Sequence, residues 1–147
     1  MKLLFLGDIV GRTGRAGITQ RLPGLRADWG LDFVVVNGEN ATSGAGLSAA
    51  HAKALLEAGA DCITLGDHAF DQKDMLSYIE TEPRILRPLN YAKTAPGKGA
   101  RVFAAKGGRK VLVAGLGPAG YTLAHYLLNE GFAVVGIDAL KLEPLPA

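Results

Sequence analysis

Five residues of this 147-residue chain are suited to holding a cation and moving a proton, and each follows a short apolar run. Asp8 comes after LLFL and a glycine, Glu39 and Asn40 come after FVVV-Asn-Gly, and Asp67 and His68 come after CITL and a glycine. Carboxylate and amide oxygens combined with an imidazole suit Mg, Mn, Fe or Zn. Two such ions would flank a phosphate, activate a water and stabilise the leaving oxygen. Taken singly, a polar residue after a strand is more simply a loop residue or a helix cap. Five of them on three runs point to a site.

A second pattern lies further on. Gly115-Leu116-Gly117-Pro118-Ala119-Gly120 follows the apolar run KVLVA and opens a helical stretch, and Asp138 stands 23 positions after Gly115. In a dinucleotide site Gly115 would form the tight turn, Gly117 would admit the pyrophosphate and Gly120 would let helix and strand pack. The helix start would offer N–H groups to phosphate, and Asp138 would accept from a ribose. NAD or FAD is the cofactor class implied.

The elements that must position these residues follow from apolar periodicity. Residues 2–6, 33–36 and 62–65 read as buried strands. Between them, Thr13 can cap a helix with an inner stripe of Ile18, Leu22, Leu25 and Trp29, in which Pro23 predicts a kink or a break. Ser48 caps a helix through Ala58 that stops at Gly59. Asp71 caps a shorter helix to about Ile79, with Asp74 in its first turn. Strand and helix therefore alternate three times, and this calls for a parallel sheet covered by helices. In such a sheet, ligands bind beyond the carboxyl ends of the strands, where the five residues fall.

Residues 83–99 hold three prolines and two glycines and read mostly as loop. Residues 101–106 and 109–114 read as strands flanking a two-residue Gly107-Gly108 turn. A βαβ unit is expected next, with a strand at 110–114, a helix at about 118–130 and a strand at 133–137. The fold class is α/β, a three-layer sandwich with a mostly parallel sheet and one antiparallel hairpin, in a single domain over residues 1–147.

Bulk properties exclude some functions. A net charge of +2 gives no electrostatic case for nucleic acid. Arg12, Arg15, Arg21 and Arg26 read as a solvated helix face, and His51 as an exposed helix residue. Cys62, inside an apolar run, reads as a small buried hydrophobe. The start MKLLFLGDIVG is broken by Gly7-Asp8 and reads as a strand rather than a signal peptide. No run is long enough for a membrane span. Cytoplasmic is the expected compartment, and an open sheet edge would allow a homodimer.

The segments GDIVGRTGR, VVNGENATSGAGLS, ITLGDHAFD and ILRPLNYAKTAPGKG, in that order, resemble the YmdB-type calcineurin-like metallophosphoesterases. The likeness runs from Met1 to about Val113. It implies a dimetal phosphodiesterase with activity on 2′,3′-cyclic nucleotides, a phosphate-containing small molecule as partner, and Asp8, Glu39, Asn40 and the residue at 67 as metal ligands. It implies that His68 is the general acid or transition-state stabiliser. The family usually has Asn where this chain has Asp67. It also completes its metal pair with histidines from its C-terminal half. This chain has only His51, His68 and His125, and neither His51 nor His125 forms the His-x-His pair. The expectation is one weakly held divalent metal and weak or absent turnover.

The segment GLGPAGYTLAHYLLNEGFAVVGID resembles the first βαβ unit of FAD- or NAD(P)-binding oxidoreductases of the glutamate synthase and pyridine-nucleotide reductase type. The two resemblances meet at residues 110–114. The sequence therefore suggests a splice: a phosphoesterase-like fragment over 1–110 and a Rossmann-like βαβ fragment over 111–140. On that reading the rival functions are a nucleotide- or phosphate-binding module and a folded scaffold without activity.

Overall fold

The computed structural model describes residues 1–115. Gly117, Gly120 and Asp138, His125, and the expected helix at 118–130 and strand at 133–137, lie outside the described residues.

Strands β1 (Leu3–Leu6), β2 (Phe33–Asn37), β3 (Cys62–Thr64) and β4 (Ile85–Leu86) form one sheet in the order β1-β2-β3-β4. All neighbours are parallel, with Leu3 opposite Phe33, Val35 opposite Cys62 and Ile63 opposite Ile85. Helices α1 (Gly11–Trp29), α2 (Ala49–Glu57) and α3 (Met75–Thr81) connect successive strands. Strands β5 (Ala100–Ala104) and β6 (Lys110–Ala114) pair antiparallel as a separate hairpin.

The strand order explains the layering. Crossovers of one hand, always stepping to the same edge, place every helix on one face of the sheet. Leu22 of α1, Leu55 of α2 and Met75 and Ile79 of α3 accordingly share one buried cluster with Val34, Val36, Ile63 and Ile85. The alternate residues Phe33, Val35, Cys62 and Leu86 point the other way, against Phe103, Val111 and Val113 of the hairpin. The three layers are thus helices, parallel sheet and hairpin. The short βαβ series cannot cover its second face with helices, and the hairpin covers it instead. Phe33 and Phe103 meet across that interface with ring centroids 5.4 Å apart.

Several local readings change. Helix α1 starts after Val10, not at Thr13, and continues past the exposed Pro23. Burial of Leu22 against the sheet offsets the proline's lost hydrogen bond, a cost of about 3 kcal/mol in an isolated helix. Trp29 is 52% exposed, so the inner stripe ends before the helix does. Gly30 closes the helix in the left-handed conformation (φ 60°), with the Leu31 N–H donating to Arg26 O. Ser48 caps α2 as expected, accepting from the His51 N–H. Helix α3 begins after Asp74, not Asp71; the Asp74 carboxylate accepts instead from the Ala49 N–H at the start of α2 (2.9 Å).

Residues 83–99 contain the short strand β4, which closes the sheet edge. The hairpin turn is three residues, Lys106–Gly108, because Ala104 pairs with Lys110 and the Ala105 N–H donates to Arg109 O. The arginines are not a uniformly solvated face. Arg15 donates to Ala41 O. Arg26 donates to Gly59 O and to Asp61, whose carboxylate also accepts from the Val34 N–H. Asp61 thereby ties the C-terminal half of α1 to β2 and to the turn before β3. No helix among the described residues is long and apolar enough to cross a membrane.

Candidate active site

The parallel register brings the ends of β1, β2 and β3 level, and the loops that follow are stitched together by backbone. The Ile9 N–H donates to Asn37 O and the Gly11 N–H to Asn40 O, so the β1–α1 loop lies against the β2–α2 loop. That pairing sets Asn40 Nδ2 on Asp8 Oδ1 at 2.8 Å. Asp8 adopts a left-handed backbone (φ 36°), unusual for a residue with a Cβ, and its side chain is exposed.

Glu39 is held from within its own loop. Asn37 Nδ2 donates to Glu39 Oε1, and the Glu39 N–H donates back to Asn37 Oδ1, both at 3.3 Å. The other oxygen, Oε2, is buried and has no hydrogen-bond partner. It fits because residue 66 is glycine: a Cβ there would stand 1.7 Å from Glu39 Oε2. Burial raises the Glu39 carboxyl above the ordinary carboxylate range. The Asn37 hydrogen bond pulls the other way, while close contact with the Asp67 carboxyl and the charges of Asp67 and Asp8 push it up again. These three acids are therefore electrostatic neighbours.

His68 follows the strand end on a tight turn, with the Ala69 N–H donating to Gly66 O. Its Nδ1 lies 2.6 Å from Asp71 Oδ2 and its Nε2 lies 3.8 Å from Asp67 Oδ2. Asp71 holds the ring above its usual pKa, burial opposes that, and Asp67 adds to it. With Nδ1 engaged, Nε2 is the edge left for proton transfer. Tyr91, from the loop after β4, donates its hydroxyl to the carbonyls of Gly66 and Asp67 (3.2 and 3.3 Å).

All five residues singled out in the sequence thus sit at the same end of the sheet, and Asp8–Asn40 and Asp67–His68 are in direct or near contact. Sequence reasoning missed three supports. Asn37 reads only as part of a polar strand end, and Tyr91 only as part of a loop. Asp71 was assigned to a helix cap, although its spacing of three from His68 also allows a side-chain pair.

For a divalent cation the donor set fits. The buried, unpartnered Glu39 oxygen lacks the counter-charge that burial of a carboxylate demands, and its neighbours Asp8, Asn40 and Asp67 present hard oxygens. Among the described residues, no three His, Cys, Asp or Glu side chains already close on one point. The acids lie close enough to disfavour one another's charge, and a bound cation would offset that.

The remaining expectations fall differently. His51 is half-buried rather than exposed, with Nδ1 2.7 Å from Thr42 Oγ1. Burial lowers its pKa, and Arg15 adds to the effect. Cys62 is buried as expected, and its thiol is pushed up to about 12 by burial. Gly115, the one residue of the glycine pattern among the described residues, is closely packed. Its N–H donates to Gly99 O, its carbonyl accepts from Leu89, and a Cβ would stand 2.3 Å from Arg87 O.

The profile of the YmdB-like protein family matches residues 4–136. The chain belongs to this family. It is 38% identical over 107 residues to a 2′,3′-cyclic-nucleotide 2′-phosphodiesterase of Bacillus subtilis, covering 73% of this chain and 40% of that one. Two crystal structures share the fold. A hypothetical protein from Thermus thermophilus is 38% identical, with a TM-score of 0.72, covering 78% of this chain and 44% of that one. A novel phosphatase from Mycoplasma pneumoniae is 40% identical, with a TM-score of 0.65, over 70% and 38%. The chain spans about 40% of the length of the curated relatives it matches. The family match continues past residues 110–114, where the sequence suggested a splice.

Proposed function

We propose that this YmdB-like chain carries the N-terminal half-site of a metal-dependent phosphodiesterase acting on 2′,3′-cyclic nucleotides. Asp8, Glu39, Asn40 and Asp67 hold a divalent cation, and His68 donates the proton. The observation that carries the reading is the buried Glu39 oxygen. It has no partner, is wedged into the space left by Gly66, and is flanked by two further carboxylates.

A bound divalent cation supplies charge neutralisation at the phosphate and a water of lowered pKa. This chain's residues do the rest. Asp8 and Asn40, locked to each other, and Glu39, locked to Asn37, orient the donors. His68, held by Asp71, gives its Nε2 proton to the alkoxide that leaves phosphorus as the P–O bond breaks. A half-site of oxygen donors holds one cation loosely and turns over slowly. His51, engaged by Thr42, is on the α2 side and adds no ligand.

The test titrates Mn²⁺ into the purified chain and follows both the thermal midpoint and hydrolysis of a 2′,3′-cyclic nucleotide. The midpoint should rise with Mn²⁺ in the wild type and in His68→Ala, but not in Glu39→Gln or Asp8→Ala. Hydrolysis should fall about 100-fold or more in His68→Ala. A wild-type chain that shows neither a Mn²⁺-dependent midpoint nor Mn²⁺-dependent hydrolysis would refute the proposal.

A further inference from the structure

The segment that carries Asp67 and His68 leaves the sheet at Leu65, whose N–H makes the last rung to Leu86 O. Beyond it, the peptides on either side of Asp67 have no strand partner. The Gly66 carbonyl accepts from the Ala69 N–H, and both it and the Asp67 carbonyl accept from the Tyr91 hydroxyl. The Tyr91 ring rests on Phe70, two residues after His68, with centroids 5.9 Å apart and planes at 52°. Tyr91 therefore grips this short segment at both ends, by its hydroxyl at Gly66–Asp67 and by its ring at Phe70.

The geometry points to Tyr91 as a positioning residue: by bridging the carbonyls of Gly66 and Asp67 it fixes the two peptide units that aim the Asp67 carboxylate and the His68 ring. The inference rests on the reading of Asp67 and His68 as site residues. It goes beyond that reading by assigning a function to a residue of the β4–β5 loop. A ring that merely filled space would need only the contact with Phe70 and the helix-side cluster. Phenylalanine would satisfy it fully. The hydroxyl is what reaches the carbonyls. A residue acting through its neighbours in this way costs a metal site about tenfold when removed.

Two variants of the full chain separate the roles. Tyr91→Phe keeps the ring and removes the bridge, and Tyr91→Leu removes both. Mn²⁺ affinity, thermal midpoint and the exchange rates of the amides at 67–69 are measured for each, with kcat and KM for a 2′,3′-cyclic nucleotide. In Tyr91→Phe the midpoint should hold, Mn²⁺ affinity should fall about tenfold, and the amides at 67–69 should exchange faster. The loss of hydrolysis should lie in kcat rather than KM. Tyr91→Leu should lower the midpoint as well. Unchanged affinity and unchanged exchange at 67–69 in Tyr91→Phe overturn the inference. So does a loss that appears only in Tyr91→Leu, in step with its midpoint. If the wild type binds no Mn²⁺ at all, the phosphodiesterase reading fails by itself, and the exchange rates at 67–69 alone still decide for or against the Tyr91 bridge.

Discussion

Replacing Gly66 with alanine should abolish metal binding while leaving the fold almost untouched, and the same change at Gly115 should do the reverse. At residue 66 the new methyl would stand 1.7 Å from Glu39 Oε2 and 2.4 Å from its Cδ. Both atoms belong to the end of a flexible side chain, which can swing out to water. That swing relieves a carboxylate whose burial and acidic neighbours already disfavour its charge. The net stability cost should stay within about 0.5 kcal/mol. At residue 115 the methyl would stand 2.3 Å from Arg87 O and 3.1 Å from Pro88 Cα, both backbone atoms that the sheet edge holds in place. Overpacking against a fixed backbone costs about 1–3 kcal/mol, which is a fall of roughly 4–10 °C in the midpoint for a chain of this size. The assay is a thermal melt of each variant with and without Mn²⁺. Gly66→Ala should melt with the wild type and lose the Mn²⁺-dependent rise. Gly115→Ala should melt early and keep it. If Gly66→Ala retained wild-type Mn²⁺ affinity, Glu39 would not be a ligand. If it melted as early as Gly115→Ala, the idea that the carboxylate is free to leave would be wrong.

The two described histidines should titrate on opposite sides of the ordinary imidazole value in a proton NMR titration, His51 below it and His68 above it. For His51 the folded pKa is the lower one. The unfolded chain then binds more protons between the two pKa values, so stability is full above about pH 6.5 and falls as the pH drops toward the folded value. His51→Gln should flatten that acid-side loss, and an unchanged pH profile would refute its assignment to this half-buried ring. Cys62 should resist a thiol reagent in the native chain and react at once in denaturant, because its thiolate is inaccessible and disfavoured. Rapid native labelling would mean that the hairpin opens from the sheet.

Much of the molecule was legible in the chain itself. Three apolar runs ending in polar residues located β1, β2 and β3, and the parallel topology alone placed Asp8, Glu39, Asn40, Asp67 and His68 at one end of the sheet. That inference works because strand period and burial are local properties: Val34 and Val36 face one way, and Phe33 and Val35 the other, whatever packs on them. Boundaries were less legible. Thr13 and Asp71 had the right chemistry for caps, but Val10 and Asp74 occupy those positions, because helix ends answer to tertiary partners such as the Ala49 N–H as much as to local preference.

Only the folded structure decided what the site residues do to one another. That Gly66 is empty so that Glu39 can be buried against it depends on two loops, distant in sequence, meeting edge to edge. The same holds for the Tyr91 bridge, the turn of His68 toward Asp71, and the hairpin that covers the second face of the sheet. Gly115 shows the limit most plainly. Its sequence context is that of a phosphate turn, and the packed structure adds that a side chain there would meet the backbone at Arg87. A local pattern specifies which conformations a residue can adopt, and the neighbour that makes use of that freedom is chosen only when distant segments pack.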